Sequence, residues 1–264
     1  MPTISADNSS ASTAGNGTAR RSHVFGVDHT RPAPGFAVSF GLWVTVAVVA
    51  VIAFDVNETL LDVRALDSLL GGADARSRWF ALMVQNTFVG GLTGNYMDYP
   101  AAQRAALKML GVGREDEILA QMRRMPPHPD VTPALDRLKD FTLVALTNSP
   151  LEVVTAGLEF AGIAARFDAI LSADQVRALK PRRQAYEHAA NTLGVALDDI
   201  RLVAAHGWDI AGALAAGCRA AFVRRPGTDL LYPGMALIPV GEQPDIVGED
   251  LVEVADKITK SSAR

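Results

Sequence analysis

One stretch of this chain limits its fold more than any other. The apolar run Val48-Val49-Ala50-Val51-Ile52-Ala53-Phe54 stops at Asp55-Val56-Asn57-Glu58-Thr59. A β-branched run closed by an acid and a turn reads as a strand buried on both faces of a parallel sheet. The uncharged sequence reaches back to Gly35, so 35–54 is long enough to cross a bilayer of roughly 30 Å as a helix. Arg20-Arg21 ahead of it resembles a weak twin-arginine signal. The strand reading is the stronger, because a membrane helix ending at Phe54 would leave the α/β pattern that follows without its first strand. Residues 1–34 are rich in Ser, Ala, Thr, Gly and Asn without apolar periodicity and read as disordered. Gly35 to Thr45 has no explanation in the fold, and a misassigned start would account for it. Residues 1–45 are therefore expected to be a disordered or spurious extension.

Beyond Thr59 the pattern is helical for about seventy residues. Trp79, Phe80, Leu82, Met83 and Val84 share one amphipathic stretch, with further helices expected at Ala101–Leu110 and Glu115–Met125. From Val131 onward helix and strand alternate. Strands are expected at Phe141–Leu146, Ala169–Leu171, Arg201–Ala205 and Ala220–Val223. Helices are expected at Thr132–Lys139, Pro150–Ala161, Arg183–Leu193, Asp209–Ala216 and Glu249–Thr259. Alternation of this kind makes a doubly wound, Rossmann-like parallel sheet with helices on both faces. The expected division is a core of 46–63 and 131–260, with 64–130 inserted as a helical cap.

The 49% hydrophobic content is ample for such a core, and the net charge of −4 offers no basic surplus for a nucleic-acid partner. A single cysteine, Cys218, excludes an internal disulfide and a thiolate zinc cluster, and suits a cytoplasmic setting.

In sheets of this type the site lies at the carboxyl ends of the strands. Asp55 follows the first strand, Thr147-Asn148-Ser149 the second, and His206-Gly207-Trp208-Asp209 the fourth. Lys180-Pro181 precedes the helix at Arg183. Singly, each has an ordinary explanation: a turn acid, an N-cap cluster, a solvated lysine, a first-turn acid, a loop histidine. Four in one register of strand ends point instead to nucleophilic chemistry, with a carboxylate kept ionised by an ammonium.

These segments resemble the four motifs of the haloacid dehalogenase superfamily: Phe54-Asp55-Val56-Asn57-Glu58-Thr59-Leu60-Leu61-Asp62, Leu146-Thr147-Asn148-Ser149, Lys180-Pro181, and Trp208-Asp209 with Gly212-Ala213. Order and spacing match over about two-thirds of the chain. Most members of that superfamily are magnesium-dependent phosphatases with a second acid two residues after the nucleophile. Here that position is Asn57, which cannot shuttle a proton, and the fourth motif offers Asp209 alone. A hard cation wants several oxygen ligands, so neither a metal nor another cofactor is expected.

The sequence is more similar to the L-2-haloacid dehalogenase subfamily. That resemblance implies a metal-independent hydrolase that turns a small (S)-2-halocarboxylate into the (R)-2-hydroxy acid through an ester on Asp55. In it Lys180 holds the carboxylate, Thr59 hydrogen-bonds it, and Asp209 positions Lys180 or the water. Thr147, Asn148, Tyr186, Asn57 and Trp208 fall at substrate-binding positions, with Asn148 near the departing halide. Homodimers occur in the subfamily.

Two departures stand out. The subfamily's water-orienting asparagine is His206, which could also act as a base. Its halide-binding cap arginine, expected beside Trp79, is Phe80, with Arg76 and Arg78 expected on another helical face. The alternatives are a hydrolase of the same fold acting on another small ester or phosphate, and a catalytically weak binding protein.

Overall fold

The computed structural model describes residues 51–225 and 241–262. The expectations for residues 1–45, and most of the membrane-length stretch 35–54, lie outside the described residues. Among the described residues no helix is long and apolar enough to cross a membrane.

β1 (Val51–Phe54) is fully buried and opens the sheet. It is followed by α1 (Asp67–Leu70), α2 (Ala73–Thr93), α3 (Tyr99–Leu110) and α4 (Glu115–Gln121). The alternating part comprises α5 (Val131–Arg137), β2 (Thr142–Thr147), α6 (Leu151–Phe160), β3 (Ala169–Ser172), α7 (Arg183–Leu193), β4 (Ile200–Ala204), α8 (Gly207–Ala216) and β5 (Arg219–Val223). β6 (Ile246–Gly248) and α9 (Leu251–Ser262) complete it. All strand pairs are parallel, in the order β3-β2-β1-β4-β5-β6. This is the doubly wound, Rossmann-like arrangement expected from the alternation.

Side chains on the strands point alternately to the two faces. Val51 and Ala53 pack with Val144, Leu202 and Ile210 on one face, while Ile52 and Phe54 join Leu143, Val203 and Ile258 on the other. The second of these clusters runs on without a break into the inserted helices through Trp79, Met83, Leu107 and Ile118. α2 turns Arg76, Trp79, Phe80, Met83, Val84 and Thr87 inward, the i, i+3, i+4, i+7 stripe of a helix lying on a core. The Trp79 indole N–H donates to the Gln103 carbonyl on α3 at 3.2 Å.

Chain order reverses at β1, which sits between β2 and β4, so the crevice outside β1 and β4 is the natural binding position. Two expectations need correction. α4 ends at Gln121 rather than Met125, because Arg123 and Arg124 close i→i+3 turns back to Ala120 and Gln121. The short strand β6 was not anticipated, since three residues are too few to show a period.

Gly212, on α8, is a required glycine. A Cβ there would lie 2.4 Å from the Pro181 Cβ, 2.9 Å from the Pro181 Cα and 2.5 Å from the Tyr186 hydroxyl. Backbone cannot yield as a flexible side chain can. Gly212→Ala is therefore expected to cost about 1–3 kcal/mol of overpacking, read as a lowered urea midpoint. An unchanged midpoint would mean that the helix and the Lys180 loop are not in close contact.

Candidate active site

Asp55 leaves β1 with its backbone N–H bonded to the Val203 carbonyl at 3.0 Å, as though continuing the sheet. Its carboxylate is almost wholly buried. Lys180 Nζ donates to Oδ1 at 2.9 Å, while the Thr59 hydroxyl donates to Oδ2 at 2.7 Å. The same ammonium donates to Asp209 Oδ2 at 2.6 Å and to the Leu146 carbonyl at 2.8 Å. All three donors of Lys180 are thus used, and it is 1% exposed. Burial opposes the lysine charge, but Asp209 and Asp55 outweigh it and hold its pKa above the ordinary value. For Asp55 burial alone would raise the pKa. Lys180 and His206 reverse this and keep it ionised far below the usual carboxylate range. Removing one member of so buried a pair typically costs about 3–5 kcal/mol.

The sequence-identified residues Asp55, Thr59, Lys180, Asp209 and His206 therefore meet at one point. Several of the others act one step further out. Both Asn148 amide groups are engaged with the Lys180 backbone, Oδ1 accepting its N–H at 2.7 Å and Nδ2 donating to its carbonyl at 3.2 Å. Tyr186, expected among substrate-binding positions, is 1% exposed and donates to Asp209 Oδ1 at 2.7 Å. It orients Asp209, whose two oxygens are then both occupied by protein donors, rather than meeting a ligand. Thr147 Oγ1 accepts the Ser149 N–H at 3.2 Å and keeps its own proton to donate. The Asn57 amide donates to Ser149 Oγ at 3.1 Å.

His206 lies between two carboxylates. Nδ1 is 3.3 Å from Asp55 Oδ2 and Nε2 is 2.7 Å from Glu58 Oε2. An ionised carboxylate only accepts, so both ring nitrogens must carry protons. Burial would lower the His206 pKa, but these two hydrogen bonds and charges push it up to about 10. The resting imidazole is a cation, so it can take a proton only after it has first given one up. The ring is stacked between Phe80 and Trp208, at centroid distances of 5.0 and 5.3 Å, and Phe88 packs edge-on to Trp208. Cationic rings are stabilised by aromatic faces.

Sequence reasoning missed Glu58 and misplaced Arg76. Glu58 takes φ +63°, the left-handed region that glycine favours, and thereby turns its side chain toward His206. Two outer clamps hold that turn. His128 Nε2 donates to the Glu58 carbonyl at 3.0 Å, and Arg225 donates twice to the Thr59 carbonyl, at 3.1 and 2.7 Å. Arg76 is buried on the same face of α2 as Phe80, one turn earlier, with Nη1 3.4 Å from Glu58 Oε1. Their i, i+4 spacing was the available signal. Arg78 is exposed, as expected of it.

The donor set does not fit a divalent cation. Lys180 occupies the space between Asp55 and Asp209, Asn57 is turned to Ser149, and no group of three or more His, Cys, Asp or Glu suited to a metal occurs among the described residues.

A parallel sheet with an ionised carboxylate and a bridging ammonium at its reversal point has the organisation of a Rossmann-like hydrolase. The chain belongs to the haloacid dehalogenase-like hydrolase family, whose profile matches residues 49–217. Among curated proteins it is 28% identical over 204 residues to the (S)-2-haloacid dehalogenase of Xanthobacter autotrophicus, covering 70% of this chain and 78% of that one. It is 26% identical to haloacetate dehalogenase H-2 of Moraxella sp. (strain B), covering 74% and 91%. The solved structure of the Xanthobacter autotrophicus L-2-haloacid dehalogenase superposes with a TM-score of 0.69 at 23% identity, over 80% of this chain and 98% of that one. A HAD phosphatase from Thermococcus onnurineus shares the fold at a TM-score of 0.55 and 19% identity, over 79% and 97%.

The charge on His206 ties stability to pH. Its folded pKa, near 10, lies above the unfolded reference of 6.5. Its contribution is therefore complete below pH 6.5 and is lost as pH rises toward 10. The stability difference between the wild type and His206→Gln should shrink steadily across that interval. A difference that stays flat across that interval would mean the ring is neutral in the folded protein.

Proposed function

We propose that this protein hydrolyses a small (S)-2-haloacid to the (R)-2-hydroxy acid without a metal, through an ester on Asp55. The observation that carries this reading is the Lys180 ammonium bridging Asp55 and Asp209 while Asn57 stands where a phosphatase has its acid. A carboxylate held ionised in a buried site is a competent nucleophile, and Asn57 offers no proton for a phosphate leaving group. The haloacid dehalogenase names of the curated relatives support the substrate class.

In the first step an Asp55 oxygen attacks C2 from the side opposite the halogen. The C–O bond forms as the C–X bond breaks, and halide leaves with the bonding pair. The Thr147 hydroxyl is available to donate to the substrate carboxylate. Esterification removes the Asp55 charge, so the imidazolium loses one of its two anionic partners. It releases the Nδ1 proton to solvent and becomes a base. Water then attacks the ester carbonyl and gives a proton to Nδ1, while Lys180 stabilises the negative charge on the tetrahedral carbon's oxygen. Collapse expels the alkoxide of the hydroxy acid, which takes the remaining proton. Asp55 and the imidazolium are restored, with one proton and one halide released per turnover.

Phe80 at the position of the subfamily's halide-binding arginine favours a second reading, a binding protein with little turnover. The deciding experiment offers (S)- and (R)-2-chloropropionate with EDTA present, beside a phosphate ester with magnesium. EDTA-resistant halide release from the (S)-form is expected, abolished in Asp55→Asn, with the ester accumulating in His206→Gln as a mass shift on the Asp55 peptide. Magnesium-dependent phosphate release with no haloacid turnover would overturn the reading, and binding without turnover would install the second one.

A further inference from the structure

Arg76 takes no part in the steps above, yet it is 6% exposed and directed into the site. Nε donates to Asp67 Oδ1 at 2.6 Å, and Nη1 lies 3.4 Å from Glu58 Oε1. The other Glu58 oxygen receives the His206 Nε2 proton at 2.7 Å. One carboxylate is thus shared by two cations, one permanent and one that titrates. The charged groups facing His206 are Asp55 and Glu58 from the loop after β1, with Lys180 behind Asp55 and Arg76 behind Glu58. Phe80 on α2 and Trp208 on α8 meet only the ring faces.

We propose that Arg76 is a positioning residue that determines when His206 can serve as a base, by withholding part of the Glu58 charge from it. This rests on the reading of His206 as the base for ester hydrolysis. Once Asp55 is alkylated, Glu58 alone favours the imidazolium. A Glu58 committed wholly to His206 would hold the proton and leave the ester standing. A guanidinium on the second oxygen draws the carboxylate's charge away and lowers the proton affinity of the ring at that stage. Asp67 fixes Arg76 from the opposite side, so the guanidinium is held at its station whether the ring is charged or neutral.

The test is made in an Asp55→Asn background, whose neutral amide stands in for the ester and whose measurement needs no turnover. The His206 ring is titrated by NMR in Asp55→Asn and in Asp55→Asn with Arg76→Gln or Arg76→Lys. Arg76→Gln should raise the ring's proton affinity about tenfold, one pKa unit, and Arg76→Lys should restore most of the difference. Asp67→Asn, at a position one-third exposed, gives the opposite sign: with Arg76 released entirely to Glu58, the affinity falls. With Asp55 intact, Arg76→Gln should move the pH of half-maximal ester hydrolysis upward by the same factor. A His206 titration indifferent to both Arg76→Gln and Asp67→Asn overturns the inference. A titration shift without haloacid turnover removes the substrate reading and keeps Arg76 as the group that governs the charge of His206.

Discussion

Everything at the carboxyl edge of this sheet depends on one buried ammonium. Lys180 reaches two carboxylates from different elements, Asp55 after β1 and Asp209 on α8, and fills its third donor position with the Leu146 carbonyl of β2. Among the described residues Asp209 has no other cation beside it and Asp55 has only His206 besides, and an isolated charge in a protein interior would give up its ionisation. The surrounding residues serve that contact. Asn148 clamps the Lys180 backbone from both sides, Tyr186 fixes Asp209, and Gly212 leaves room for Pro181 to pass. The floor of the site is rigid because each member has its hydrogen bonds satisfied within the protein.

The opposite wall follows a different principle. His206, Glu58 and Arg76 form a chain of alternating charge that begins at Asp55 and ends on α2. Its members sit close enough that a change of charge at one end is felt at the other. The nucleophile is thus coupled to the inserted helices electrostatically as well as by packing. The stacked rings of Phe80, His206 and Trp208 shield that chain and give the pocket an aromatic side.

How much of this could be read from residues alone differs between the two walls. Alternating apolar segments indicated the parallel sheet, and every expected strand falls within a residue or so of its observed place in the described residues. Asp55, Lys180 and Asp209 were legible because strand ends in a parallel sheet converge on one crevice. Glu58 was not, because its function depends on a left-handed backbone that nothing in its side chain announces. Arg76 was set aside as lying on another helical face, although the four residues that separate it from Phe80 put both on one face. Tyr186 and Asn148 were assigned to substrate and halide but bond to Asp209 and to the Lys180 backbone, since a motif records proximity and not which partner a hydrogen bond chooses. The short strand β6 and the end of α4 depended on turn geometry below the resolution of periodicity.

The left-handed turn at Glu58 has a consequence for how such a site can change over generations. A non-glycine residue there carries strain of about 1–3 kcal/mol, tolerated because His128 grips its own carbonyl and Arg225 grips that of Thr59. Glycine at 58 would make the chain easier to fold while stranding the imidazolium beside Asp55 without its second anion. Drift toward robustness and retention of this charge chain therefore pull in opposite directions at a single codon. A histidine at 206 without the glutamate would keep only Asp55 as anionic partner, and the glutamate without the histidine would keep the strained backbone with no cation at its Oε2.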